Sequence, residues 1–244
     1  MADRPILFRG PLVRAILDGH KTVTRRLIKH EHAPNPGMVW QDCDCRDIHP
    51  NDTPCVVCAA RFGPSRFEAG DRLWVRETWR TAAALDALSP AKMAAACQRA
   101  GYEKPWAPMH YEANDGPLPP LDPVQWQGWS ARARPAIHMP RWASRLTLDV
   151  VSVRAERLQD ITPEDALAEG ITVPDVFGDI DSYNQQSVPG GVAVWSARDA
   201  EAVRLFRDLW DSINGKRPSA SWDANPYVWR VEFKRAADVA VPCG

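Results

Sequence analysis

"SRLTLDVVSVRAERL", residues 144–158, followed two residues later by "ITPEDALAEGI", residues 161–171, decides the fold class. The first stretch alternates as a strand does, with Leu146, Leu148, Val150 or Val151, and Val153 turned inward. The second carries helix punctuation. Thr162 is the cap, Pro163 takes the first position, acids fill the first turn and Gly170 ends it. Strands and helices interspersed without a βαβ rhythm or repeats predict an α+β protein on a mixed sheet or small barrel.

Outward from that centre, "PLVRAILDG" (11–19) predicts a short helix. Pro11 is at its start, Leu12, Val13, Ile16 and Leu17 form one face, and Gly19 stops it. "HKTVTRR" (20–26) reads as a basic turn after that helix. "GDRLWVRETW" (70–79) begins at a turn and continues as a strand. Residues 81–100 are Ala-rich and helical, with Pro90 breaking the run, and a short strand is expected near His110–Glu112. "DAEAVRLFRDLWDSI" (199–213) is amphipathic through Val203, Phe206, Leu209, Trp210 and Ile213. "NPYVWRVEFKR" (225–235) is a strand with Tyr227, Trp229, Val231 and Phe233 on one face.

The chain has 244 residues, 45% hydrophobic and 25% charged, with net charge -1, so it can bury a real core and is no polybasic nucleic-acid coat. Its charge is segregated. Residues 1–30 hold seven Lys/Arg against two acids, 131–157 six Arg against two acids, and 158–200 eight acids against one Arg. That pattern predicts a local positive surface. No apolar run approaches a membrane span and "MADRPILFRG" has no signal-peptide core, so a cytoplasmic protein without a membrane partner is expected. With 22 Pro and 11 Trp, turns are many, and one or two tryptophans have the option of lining a groove where bases stack.

The short helix with "DGHKTVTRR", then "GDRLWVRETW", then the closing "NPYVWRVEF" strand, resembles the ASCH superfamily. The longer form, with "RWASRLTLDVVSVRAERLQDI" and "DALAEGI", looks most like its phage and prophage branch. The resemblance implies a PUA-like β-barrel with flanking helices. It spans residues 1–244 as one domain, with loop insertions at about 31–69, 81–130 and 172–198. A bacterial branch of that superfamily hydrolyses the amide of N4-acetylcytidine with a Lys, a Thr three residues later and a Glu in the "VRE" strand. Those positions are Lys21, Thr24 and Glu77 here, and the resemblance implies an amidohydrolase acting on N4-acylated cytosine nucleosides. Non-catalytic binding of single-stranded RNA or a modified base in the same groove, or ribonuclease action, is the alternative.

The residues allow the chemistry. Thr24 is a nucleophile only if a neighbour takes its proton, and Lys21 is one turn of backbone away. A lysine at its ordinary value near 10.4 is protonated. Burial and the neighbouring cations Arg25 and Arg26 push it down toward a useful range. Glu77 has three options: orienting Lys21, passing a proton to the leaving amine, or holding the cytosine amine edge. Arg25, Arg26, Trp74 and Arg76 are candidates for holding the substrate. Trp74 and Trp79 fall on opposite sides of a regular strand, so at most one lines a pocket.

Cys43, Cys45, Cys55 and Cys58 form a C-x-C and a C-x-x-C pair within a Pro-rich, polar segment. Two readings stand for them: a structural zinc, with His49 as a substitute ligand, or reduced thiols. The amide chemistry itself requires no cofactor.

Overall fold

The computed structural model describes residues 1–28, 65–101, 103–105, 107–115, 132–174 and 196–236. Strand and helix alternate irregularly through them, and the sheet is mixed, so the protein is α+β. Contacts divide the chain into two compact units. One holds residues 1–18, 70–149 and 234–244, and the other 19–69 and 150–233.

In the first unit, strand β1 (Asp3–Leu7) leads into helix α1 (Gly10–Leu17). Pro11 opens that helix, Val13 and Ile16 are its buried residues, and Gly19 follows with φ +80°. That conformation costs a glycine nothing and strains any other residue. Strand β3 (Arg72–Arg76) pairs parallel with β1, from Asp3 opposite Arg72 to Leu7 opposite Arg76. Two short strands, β4 (Trp79–Arg80) and β5 (His110–Tyr111), pair antiparallel. Pro90 opens helix α2 (Pro90–Arg99), and Ser89 caps it by accepting from the Lys92 amide. The ring that removes a donor is harmless at a first helical position. Helix α3 (Glu112–Asp115) follows β5. One core cluster of this unit is Trp79, Met93, Met139 and Ala143, with Leu85, Leu88, Met109, Tyr111 and Trp142 packed around it.

The long strand β6 (Thr147–Arg157) begins in the first unit, antiparallel to β3, and continues into the second. Leu146, Leu148 and Val150 are buried and Val151 is exposed, which resolves the choice between the two valines. Helix α4 (Pro163–Ala168) follows, with Thr162 accepting from the Asp165 amide and Gly170 at φ +87°. Helix α5 (Ala197–Asn214) starts at a capping box formed by Ser196 and Asp199. It buries Ala202, Phe206 and Trp210. The second unit's core joins these to Leu158, Ile161, Ala166, Val173 and Val228.

The basic stretch 20–26 is mostly strand rather than turn. Strand β2 (Val23–Leu27) pairs antiparallel with β7 (Tyr227–Arg235), from Val23 opposite Glu232 to Leu27 opposite Val228. The strand tolerates its charged residues because β7 supplies the backbone partners and the Arg25 side chain finds carboxylates. The strand order is β1-β3-β6-β7-β2. Strand β7 is buried on both faces, with Val228 and Arg230 enclosed as well as Trp229, Val231 and Phe233.

The Pro- and Cys-rich stretch with Cys43, Cys45, Cys55, Cys58 and His49 lies outside the described residues. So do most of the expected insertions at 31–69 and 172–198. Among the described residues no helix is long and apolar enough to cross a membrane.

Candidate functional site

Lys21 is held at the C-terminal end of helix α4. An isolated bridge pairs its backbone with Glu169, which caps that helix. Its side chain is wholly enclosed, and among the described residues its ammonium donates to acceptors in β2 and at the end of α4. These are the Val23 carbonyl at 2.7 Å, the Glu169 carbonyl at 2.8 Å and Glu169 Oε2 at 2.6 Å. A cation at this place suits the negative end of the helix dipole. Burial nevertheless pushes the Lys21 amine below lysine's ordinary range. The Glu169 carboxylate opposes that shift, while the Arg26 and Arg25 charges add to it.

Thr24 is buried in β2, opposite Val231. Among the described residues no hydrogen bond joins its hydroxyl to Lys21. Arg25, next along, is enclosed by carboxylates. It donates to Glu156 at 2.7 Å and to Asp165, and it lies 3.4 Å from Glu169 Oε1. Its guanidinium also stands 5.8 Å from the centre of the Phe206 ring. Arg230 holds Asp165 from the other side at 2.9 Å. Burial alone would raise the Asp165 carboxyl, but hydrogen bonds from Arg230 and Arg25 and their charges hold it below its usual range.

The segregated charge of the sequence therefore pairs with itself here. Lys21 and Arg25 come from the basic N-terminal segment, and Glu156, Asp165 and Glu169 come from the 156–169 stretch. The expected positive surface does not include these two cations, because their partners neutralise them in place. Arg26 is half-buried opposite Trp229, and burial pushes its guanidinium down.

In the first unit, Glu77 is 1% exposed and accepts two parallel hydrogen bonds from Arg145, each 2.9 Å. This bidentate arrangement is the strong form of the pair. The Arg145 guanidinium lies 4.1 Å from the centre of the Tyr111 ring, and the Tyr111 hydroxyl donates to the Ala143 carbonyl. Burial, against the opposing Arg145 charge and with help from Glu77, pushes the Tyr111 phenol up to about 12. Arg76 donates to the Met139 carbonyl at 3.0 Å and stands 4.8 Å from the centre of the Trp74 ring. Trp74 and Trp79 are both buried. The strand stops at Arg76, so simple alternation does not connect them.

Each expected residue thus has a defined environment, Lys21 with Glu169 and Glu77 with Arg145. Neither partner was picked out from the sequence. The complementary charge of 1–30 and 158–200 was the available signal for Glu169, whereas nothing in the local pattern pointed to Arg145. No family model matches this chain, and no curated protein or solved structure matches it.

Proposed function

We propose that the protein is an amidohydrolase that removes the acyl group from N4-acetylcytidine or a related N4-acylated cytosine nucleoside. The observation that carries this reading is the enclosure of Lys21. A desolvated lysine amine pushed down by burial, in the same short segment as a buried threonine, supplies the two kinds of group that base-assisted nucleophilic attack needs. The ASCH resemblance adds the substrate class and the third residue, Glu77. It also reads the mixed sheet as part of a PUA-like barrel. Apart from the resemblance, the spacing of the four cysteines supports a structural zinc, with reduced thiols as the other reading, and the chain's lack of a long apolar run supports a cytoplasmic protein.

In this reading the Thr24 oxygen attacks the acyl carbon and its proton passes to the neutral Lys21 amine. Collapse of the tetrahedral intermediate breaks the carbon–nitrogen bond, and the cytosine amine leaves with the proton. Water then cleaves the acyl-threonine ester, releasing the carboxylic acid and restoring the hydroxyl. The resemblance leaves Glu77 three parts: orienting Lys21, passing a proton to the leaving amine, or holding the amine edge of the base.

Chromatographic turnover of N4-acetylcytidine is the test. Lys21→Ala, Thr24→Ala and Glu77→Ala are each expected to lower it by about a hundredfold or more. Thr24→Ser retains part of it because the hydroxyl survives. A parent protein inactive on the nucleoside but tight on single-stranded RNA would replace the amidohydrolase by a reader.

A further inference from the structure

We infer that Glu169 is the positioning residue that sets the protonation of Lys21, and with it the pH at which Lys21 and Thr24 act together. Its catalytic consequence rests on the amidohydrolase reading, although its effect on Lys21 can be measured without turnover.

The geometry assigns the role. A lysine ammonium has three N–H groups, and among the described residues Lys21 has two carbonyls and one carboxylate oxygen as acceptors. To serve as a base it first gives one proton to solvent, leaving two N–H groups and a lone pair. The Val23 and Glu169 carbonyls can keep the two remaining donors. The carboxylate then loses its donor and faces the lone pair. Of the three contacts, only the one to Glu169 Oε2 changes from strong attraction to repulsion on deprotonation. Glu169 therefore holds the base in its charged, resting form.

Among the described residues the surrounding charges do not duplicate this effect. From β2, Arg25 and Arg26 act in the opposite sense. Asp165 from α4, Glu156 from β6 and Arg230 from β7 are engaged with Arg25 or with one another, and Glu232 receives from Arg230 and Ser152. Among the described residues the direct carboxylate contact of Lys21 is with Glu169. The backbone contacts of the same residue fix the distance, because Glu169 also pairs with Lys21 through the main chain.

Two measurements on the whole chain test this. The first is an NMR titration of ε-13C-labelled lysine, with Lys21 assigned by the signal missing from Lys21→Arg. Glu169→Gln is expected to lower the Lys21 midpoint by about one pH unit or more, the scale of a lost neighbouring charge. The second is the pH dependence of kcat for N4-acetylcytidine. Its rising limb is expected to move to lower pH by the same amount. Glu169→Asp draws the carboxylate back by one methylene and is expected to move both midpoints the same way by less. It replaces Glu169→Gln if that variant fails to fold.

An unchanged Lys21 midpoint in whichever variant folds would overturn the inference. So would a kcat lowered equally at every pH, which is what a merely structural Glu169 would give. A shifted Lys21 midpoint in a protein that never hydrolyses N4-acetylcytidine would support Glu169's control of Lys21 while sinking the amidohydrolase.

Discussion

Asp165 carries a negative charge among three arginines, Arg25, Arg230 and, at 3.9 Å, Arg154. Its carboxyl titrates below its usual range in the folded protein. A depressed carboxyl contributes stability that is present above its unfolded value, near 3.9, and is lost as pH falls through the folded value. Asp165→Asn is therefore expected to cost about 1–3 kcal/mol at neutral pH. That is less than for a fully buried pair, because this carboxylate is partly exposed. The gap to the parent should begin to narrow below about pH 4, where the unfolded parent's carboxyl takes up a proton, and close as pH falls through the lower folded value. Urea unfolding of both proteins at neutral and acid pH would show it. A gap unchanged by acid would mean that the carboxylate charge is not what stabilises.

Helix ends give the clearest tests among the elements. Ser196 accepts from the Asp199 amide while the Asp199 side chain accepts from the Ser196 amide. Ser196→Ala is expected to cost about 1 kcal/mol, seen as a melting temperature lower by about 2–4 °C. Gly170 at φ +87° turns the chain immediately after Glu169. Gly170→Ala places a Cβ in a left-handed conformation at a cost of about 1–2 kcal/mol. It is also expected to lower turnover of N4-acetylcytidine, because the same turn presents Glu169 to Lys21. Normal turnover in that variant would show that the Lys21 contacts do not depend on the turn. The ends of α4 were legible because capping is local: Thr162, Pro163 and Gly170 announce it within nine residues, whereas the Ser196 cap of α5 was not picked out. Strand β2 was not, since three cations in seven residues hide the extended preference of Val23 and Thr24, and the strand is completed by β7, far along the chain. The Lys21–Glu169 pair spans 148 positions, a relation no periodicity encodes.

At the scale of the whole molecule, the second unit's core and the charge network share a side chain. Phe206 packs with Trp210 and Trp222, and Arg25 stands over its ring. Phe206→Ala is expected to cost about 3–5 kcal/mol in denaturant unfolding, as large aromatic truncations do. Close to one equivalent of zinc is expected by elemental analysis in protein purified without chelators, if Cys43, Cys45, Cys55 and Cys58 hold it. Metal-free protein would leave them as thiols. The pairing of β2 with β7 has a further consequence during synthesis. Strand β2 stands at the edge of the sheet with β7 as its neighbour, and most of the chain must be made between them. At ribosomal speeds of about 5–20 residues per second, the strand waits on the order of ten seconds or more with its ladder groups unpaired. Arg25, unmatched by its later carboxylates during that interval, and Arg26 beside it act as gatekeepers. Their charge discourages a neighbouring nascent chain from taking the place reserved for β7.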